Sequence, residues 1–76
     1  MPELTFAETP ERREILDTLE KVVTLLKSRA AVHRAARSEV RHHRAMNRAQ
    51  TAQNLADMLA LDWTQDDAEA AARPPV

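Results

Sequence analysis

The sequence of 76 residues contains no glycine, no cysteine and no tyrosine, and Phe6 and Trp63 are its only large aromatic residues. A fold rich in tight turns needs residues that accept positive φ, so the lack of glycine argues against strand hairpins. A sheet would also favour aromatic and β-branched side chains. Without cysteine, disulfide and thiolate chemistry are excluded. The composition therefore predicts an all-α protein.

Two kinds of hydrophobic segment are also missing. The first ten residues carry Glu3 and Glu8 and no basic stretch followed by an apolar run, so they do not resemble a signal peptide. No stretch approaches the roughly 18 apolar residues of a membrane span. We therefore expect a cytoplasmic protein that does not bind membranes. A chain this short buries only about 60% of its unfolded surface, which makes a monomer marginal and favours oligomerisation.

The overall charge of −1 conceals a strong segregation along the chain. Residues 1–26 hold six acids and three bases, a charge of −3; residues 27–48 hold seven bases and one acid, a charge of +6; residues 49–76 hold five acids and one base, a charge of −4. A basic centre between acidic ends indicates an anionic partner, or self-association that pairs the centre with the ends.

A first amphipathic helix is predicted over residues 9–40, after an extended N-terminus over 1–8. Thr9 suits the N-cap, Pro10 suits the first helical position, and Glu11 lies near the positive end of the helix dipole. Apolar residues then recur at helical spacing. They are Ile15, Leu16, Leu19, Val22, Val23, Leu26 and Ala30.

A second helix is predicted over residues 47–62, where Asn47 and Gln50 resemble a capping box. Its apolar face consists of Ala52, Leu55, Ala56, Met58, Leu59 and Trp63. Thr64 and Asp67 resemble another capping box and predict a short third helix over 64–72 or, as an alternative, an extension of the second helix. Residues 73–76 contain two prolines and are predicted to be a disordered tail.

Two arrangements of a single small helical domain over 1–76 fit this pattern. In the favoured one, the chain turns between Ser38 and Asn47, so that the two apolar faces meet as an antiparallel hairpin. Two hairpins would then complete a four-helix bundle as a homodimer. The residues assigned to this oligomer interface are Leu16, Leu19, Val23, Leu26, Leu55, Leu59 and Trp63. In the alternative, one long helix forms a coiled-coil dimer, because neither glycine nor proline occurs between Pro10 and Pro74.

Five arginines recur at spacings of three and four residues and would form one stripe on a helix. They are Arg34, Arg37, Arg41, Arg44 and Arg48. Guanidinium groups one turn apart can contact successive phosphates of DNA or RNA, or carboxylates of an acidic protein. The ordinary interpretation is a solvated helix face. No aromatic residue lies among the arginines, so stacking on bases is not indicated.

Other chemistry is weakly indicated. Glu39 and His42 have the E-x-x-H spacing of a metal-binding helix, but Arg41 and Arg44 flank the pair and disfavour a cation. No pairing of a nucleophile with a base is found, and the chain is too small to enclose a substrate. We therefore expect no cofactor, no metal and no catalytic activity.

Two functions remain. The first is a small helical nucleic-acid-associated regulatory protein whose arginine stripe contacts phosphates. The alternative is a non-catalytic accessory subunit, adaptor or inhibitor that binds a larger acidic protein through its helices.

Overall fold

The structure, a computed structural model, describes residues 6–72 and contains two α-helices and no strand in that range. Helix α1 spans Pro10–Ala35 and helix α2 spans Glu39–Ala72. The helices pack against each other in antiparallel orientation and form a rod of 61 × 23 × 21 Å. The predicted all-α helical hairpin is confirmed, and the alternative of one long helix is wrong.

The start of α1 follows the local sequence. The Thr9 hydroxyl accepts a hydrogen bond from the Arg12 N–H at 3.2 Å, and Pro10 occupies the first helical position. The Thr9 hydroxyl satisfies one free N–H group of the first turn, and Pro10 has no N–H group that needs a partner. The predicted beginning of the first helix at Thr9 and Pro10 is therefore confirmed.

The turn between the helices occupies residues 36–38, ahead of the predicted region, and the first helix ends at 35 rather than 40. The Ser38 N–H donates to the His33 carbonyl at 2.9 Å and the Arg37 N–H donates to the Arg34 carbonyl at 3.0 Å. This is the Schellman arrangement, which normally places glycine at its left-handed position. Here Arg37 adopts φ 60°, at a cost of roughly 1–2 kcal/mol. Sequence reasoning missed the turn because its usual marker residue is absent.

Helix α2 begins at Glu39 rather than at residue 47 and is unbroken to Ala72. The separate third helix over 64–72 is therefore wrong, and the alternative, an extension of the second helix, is confirmed. Two of the side chains that resembled caps bond within the helix instead. The Gln50 amide N–H donates to Asn54 Oδ1 at 2.9 Å, and the Thr64 hydroxyl donates to the Ala60 carbonyl at 2.8 Å. Hydroxyls in the middle of a helix commonly bond to the carbonyl four residues earlier, so Thr64 does not begin a helix.

The seam between the helices follows the heptad spacing of an antiparallel coiled coil. The least exposed residues of α1 are Arg12, Leu16, Leu19, Val23, Leu26, Ala30 and His33. Along α2 the seam contains His42, Ala45, Ala49, Ala52, Ala56, Leu59 and Trp63. Its most buried members are small, with Ala30 at 1% and Ala49 at 2% exposure. Larger side chains of α1 therefore pack against an α2 surface that is mostly alanine.

Six of the seven residues assigned to an oligomer interface lie in this seam, within one chain. The seventh, Leu55, is 46% exposed. Residues 1–5 of the predicted extended N-terminus and the predicted tail over 73–76 lie outside the described range.

Candidate nucleic-acid interface

The two ends of the rod carry opposite charge. Residues 27–48 form the end with the turn, which we call the tip, and hold seven bases and one acid, a charge of +6. The remaining described residues, 6–26 and 49–72, form the open end and hold three bases and ten acids, a charge of −7. In physiological salt, exposed charges more than about 8 Å apart are largely screened from each other, whereas the rod is 61 Å long. Each end therefore presents its own field to a partner.

All five arginines of the predicted stripe are exposed, but the turn divides them. Arg34 lies in the last turn of α1, and Arg37 lies in the turn itself. Arg41, Arg44 and Arg48 follow on α2. The first two arginines therefore do not share a helix face with the other three, although all five lie near the tip.

Helix α1 supplies two further side chains to this surface, of which Arg29 was missed by sequence reasoning. Arg29 and His33 line a shallow depression of about 240 Å³ together with the three arginines of α2. Residues at equal distances from a hairpin turn meet side by side, so the spacing of Arg29 and Arg44 from the turn is the signal that predicts this group. This pairing can be predicted only when the turn is known to lie at residues 36–38. The basic side of the tip is therefore built by both helices.

The depression is smaller than the roughly 300–1,000 Å³ of a typical small-molecule pocket. Its charged lining is matched by no nearby carboxylate: within residues 6–72, the ion pair found joins Arg12 and Asp67 at the open end. The arginines at the tip thus extend into solvent with their donor groups available. Such a surface suits an anionic chain lying across it better than an enclosed ligand.

The two candidate metal ligands are placed differently from each other. His42 Nδ1 lies 2.8 Å from the Ala30 carbonyl oxygen, while Glu39 is exposed. A carbonyl only accepts hydrogen bonds, so Nδ1 carries a proton and this imidazole nitrogen is not a metal ligand. Over residues 6–72, no group of three or more His, Asp or Glu side chains is arranged to hold a metal ion. His42 instead ties the beginning of α2 to α1.

The open end is held by a cluster of specific contacts. Asp67 accepts two hydrogen bonds from the Arg12 guanidinium, at 2.8 and 3.1 Å, and one from the Ala7 N–H at 2.7 Å. Arg12 also lies 5.3 Å above the Trp63 ring, which contacts the Phe6 ring at 5.4 Å between centroids. The hydrogen bond from Arg12 is the main cause that lowers the pKa of Asp67, and burial partly opposes it.

Comparison with protein-family models, with curated proteins and with solved structures found no match. Neither of the two helices is long and apolar enough to cross a membrane.

Proposed function

We propose that this chain is a small helical nucleic-acid-associated regulatory protein whose basic tip contacts phosphates. The observation that carries the proposal is the charge at the tip, where residues 27–48 hold seven bases and only one acid. Exposed arginines from two helices border one depression, so several phosphates can be neutralised together. Release of the condensed counterions then drives association.

The contacts are expected to be with the backbone of the nucleic acid rather than with its bases. Phe6 and Trp63 both lie at the open end, so neither is available for stacking beside the arginines. Contacts to phosphate fix position but carry no sequence information. We therefore propose low sequence selectivity and strong dependence on salt.

We also propose that the hairpin assembles as a homodimer in a four-helix bundle. The chain exposes 6600 Å², whereas a compact protein of 8.6 kDa exposes about 4,700 Å². The buried side chains are mostly alanines, which contribute little apolar area. Leu25 is 55% and Met58 is 60% exposed, and a second chain would cover such residues.

The alternative is an accessory subunit, adaptor or inhibitor that binds a larger acidic protein. The same exposed leucines and methionines favour it, because an apolar helix face beside a cationic end suits docking on a protein. Purification of the full chain from cell extract with one stoichiometric protein and without nucleic acid would support this alternative over the first proposal.

The test is a titration of duplex DNA and of RNA with the full chain across a series of salt concentrations. We expect log K to fall linearly with log salt, by about 0.9 for each phosphate contact on duplex DNA. Replacing Arg37, Arg41 and Arg44 by alanine together should weaken binding and flatten this slope. The control is Arg13→Ala, an exposed arginine at the open end. Absence of binding at low salt, or equal binding by the triple variant, would refute the proposal.

A further inference from the structure

A continuous series of exposed residues runs along one side of the rod, and each member except Asp66 directly precedes a seam residue in sequence. We call this side the pairing face. Helix α1 contributes Glu11, Ile15, Thr18, Val22, Leu25, Arg29 and Val32. Helix α2 contributes Arg41, Arg44, Arg48, Thr51, Leu55, Met58, Asp62 and Asp66.

The two helices present these residues on the same side of the hairpin. Arg29 and Arg48 line the same depression, so both lie on that side. Val22 precedes Arg29 by seven residues, and Leu55 follows Arg48 by seven. Seven residues are two helical turns with a drift of only about 20°. Val22 and Leu55 therefore also lie on the side of the rod that carries the depression.

The pairing face changes its chemistry along the rod. Four arginines lie towards the tip, and Glu11, Asp62 and Asp66 lie towards the open end. Between them lie exposed apolar residues. These are Ile15, Val22, Leu25, Leu55 and Met58. With Val32, the face holds six of the nine large hydrophobic residues that the hairpin leaves exposed, so the apolar surface is concentrated on one side.

The charges are placed symmetrically about this apolar centre. On α1, position 20 is midway between Ile15 and Leu25, and it is also midway between Glu11 and Arg29. On α2, the midpoint between Leu55 and Met58 lies within one residue of position 56. The midpoint between Arg48 and the pair Asp62 and Asp66 also lies at this position. A half-turn about an axis through the centre therefore places Arg29 over Glu11, and Arg48 between Asp62 and Asp66.

We infer that a second copy of this chain binds the pairing face in antiparallel orientation, with its tip over the open end of the first. A two-fold dimer brings the same patch of both subunits together, which requires a self-complementary surface of this kind. A stable interface buries about 800 Å² on each partner. The 6600 Å² exposed by the chain leaves room for that area. The inference rests on the dimer proposed above and specifies its face and orientation.

One consequence links the dimer to phosphate binding. The second copy covers the arginines of α2, whereas Arg34 and Arg37 stay outside the pairing face. Nucleic acid and a second copy therefore compete for Arg41, Arg44 and Arg48. Dimerisation then limits the number of phosphate contacts that one hairpin makes.

The orientation is tested by cross-linking, which the absence of natural cysteine makes unambiguous. Thr18→Cys places a thiol on the pairing face close to the two-fold axis, and Thr24→Cys places one on the other side of α1. Both threonines are exposed, so the variants are matched. With a short bismaleimide and no nucleic acid, we expect a covalent dimer from Thr18→Cys and little from Thr24→Cys. Equal yields from the two variants, or none from Thr18→Cys, would overturn the inference.

The charge pairing is tested by sedimentation velocity. Arg48→Glu should weaken the dimer by about tenfold or more, because it places like charges opposite one another. Adding Asp62→Arg in the same chain should restore it, since each copy then offers the reversed pair. Arg13→Glu changes the charge equally on the other side of the rod and serves as control. Equal weakening by Arg13→Glu, or no recovery in the double variant, would overturn the inference. Phosphate binding by the Arg13→Ala and triple-alanine chains tests the proposed function separately.

Discussion

The two ends of the hairpin use the same residue type in opposite ways. At the open end, Arg12 is half-buried, donates to Asp67 through both terminal guanidinium nitrogens and lies over the Trp63 ring. At the tip, Arg44 and Arg48 are exposed and border a depression that no carboxylate lines. Arginine therefore stabilises one end of the fold and leaves the other end charged. Net charge alone would not have separated these roles.

The largest effect on both ends is expected when the two helices that form them are separated. Ala49→Leu inserts a larger side chain where exposure is 2%, and overpacking of this kind costs about 1–3 kcal/mol. We expect a lower urea midpoint and loss of both the Trp63 environment and phosphate binding. Ala31→Leu, at an exposed position of α1, is the matched control and should leave the midpoint nearly unchanged. An unaffected Ala49→Leu chain would contradict the alanine seam.

Two arginine substitutions, one at each end, should have opposite effects on stability and on DNA binding. Arg44→Ala should reduce the salt dependence of DNA binding by about one phosphate contact while leaving Tm nearly unchanged. Arg12→Ala should lower Tm, because Asp67 loses its guanidinium partner, while DNA binding at moderate temperature is retained. Thermal melts and salt titrations of both variants give the two readouts. The same change in Tm and in salt dependence in both variants would show that the arginines of the two ends do not differ in role.

The turn offers a smaller effect. Arg37→Gly relieves the left-handed conformation and should stabilise the hairpin by about 0.5–1 kcal/mol. Arg34→Gly removes the same charge from a helical residue and should destabilise by about 1 kcal/mol instead. The two variants share one change in charge, so a difference in Tm reports the backbone alone. Equal Tm values would argue against the left-handed turn.

The smallest expected effect concerns pH. The folded-state pKa of Asp67 is lowered mainly by the hydrogen bond from Arg12, so its ionised form stabilises the fold above the ordinary aspartate pKa. This stability should be lost as pH falls through the lowered value. Asp67→Asn should reduce the dependence of Tm on acidic pH. A dependence that persists unchanged in Asp67→Asn would contradict this assignment.

Sequence reasoning predicted the features that depend on local chemistry. Thr9 and Pro10 begin a helix as their side chains require, and the arginines near the turn are exposed. It failed where tertiary packing decides. Asn47 and Thr64 have cap-forming side chains, yet both lie inside one helix.

The predicted apolar faces were also too broad. Ile15 and Leu55 were assigned to the buried side, but they are 40% and 46% exposed, because a seam between only two helices covers the residues at its own heptad positions and not those beside them. The basic group that includes Arg29 could not be predicted because it depends on the exact position of the turn. That position is defined by a left-handed arginine, which no sequence pattern marks.

The alanine seam has a consequence for the alignment of the two helices. Side chains as small as alanine interlock weakly, so the middle of the hairpin hardly distinguishes one helix register from the next. Polar contacts at the ends distinguish them: His42 with the Ala30 carbonyl near the tip, and Arg12 with Asp67 at the open end. These two polar contacts therefore set the helix register, and the register determines which residues of α1 and α2 lie side by side on the pairing face.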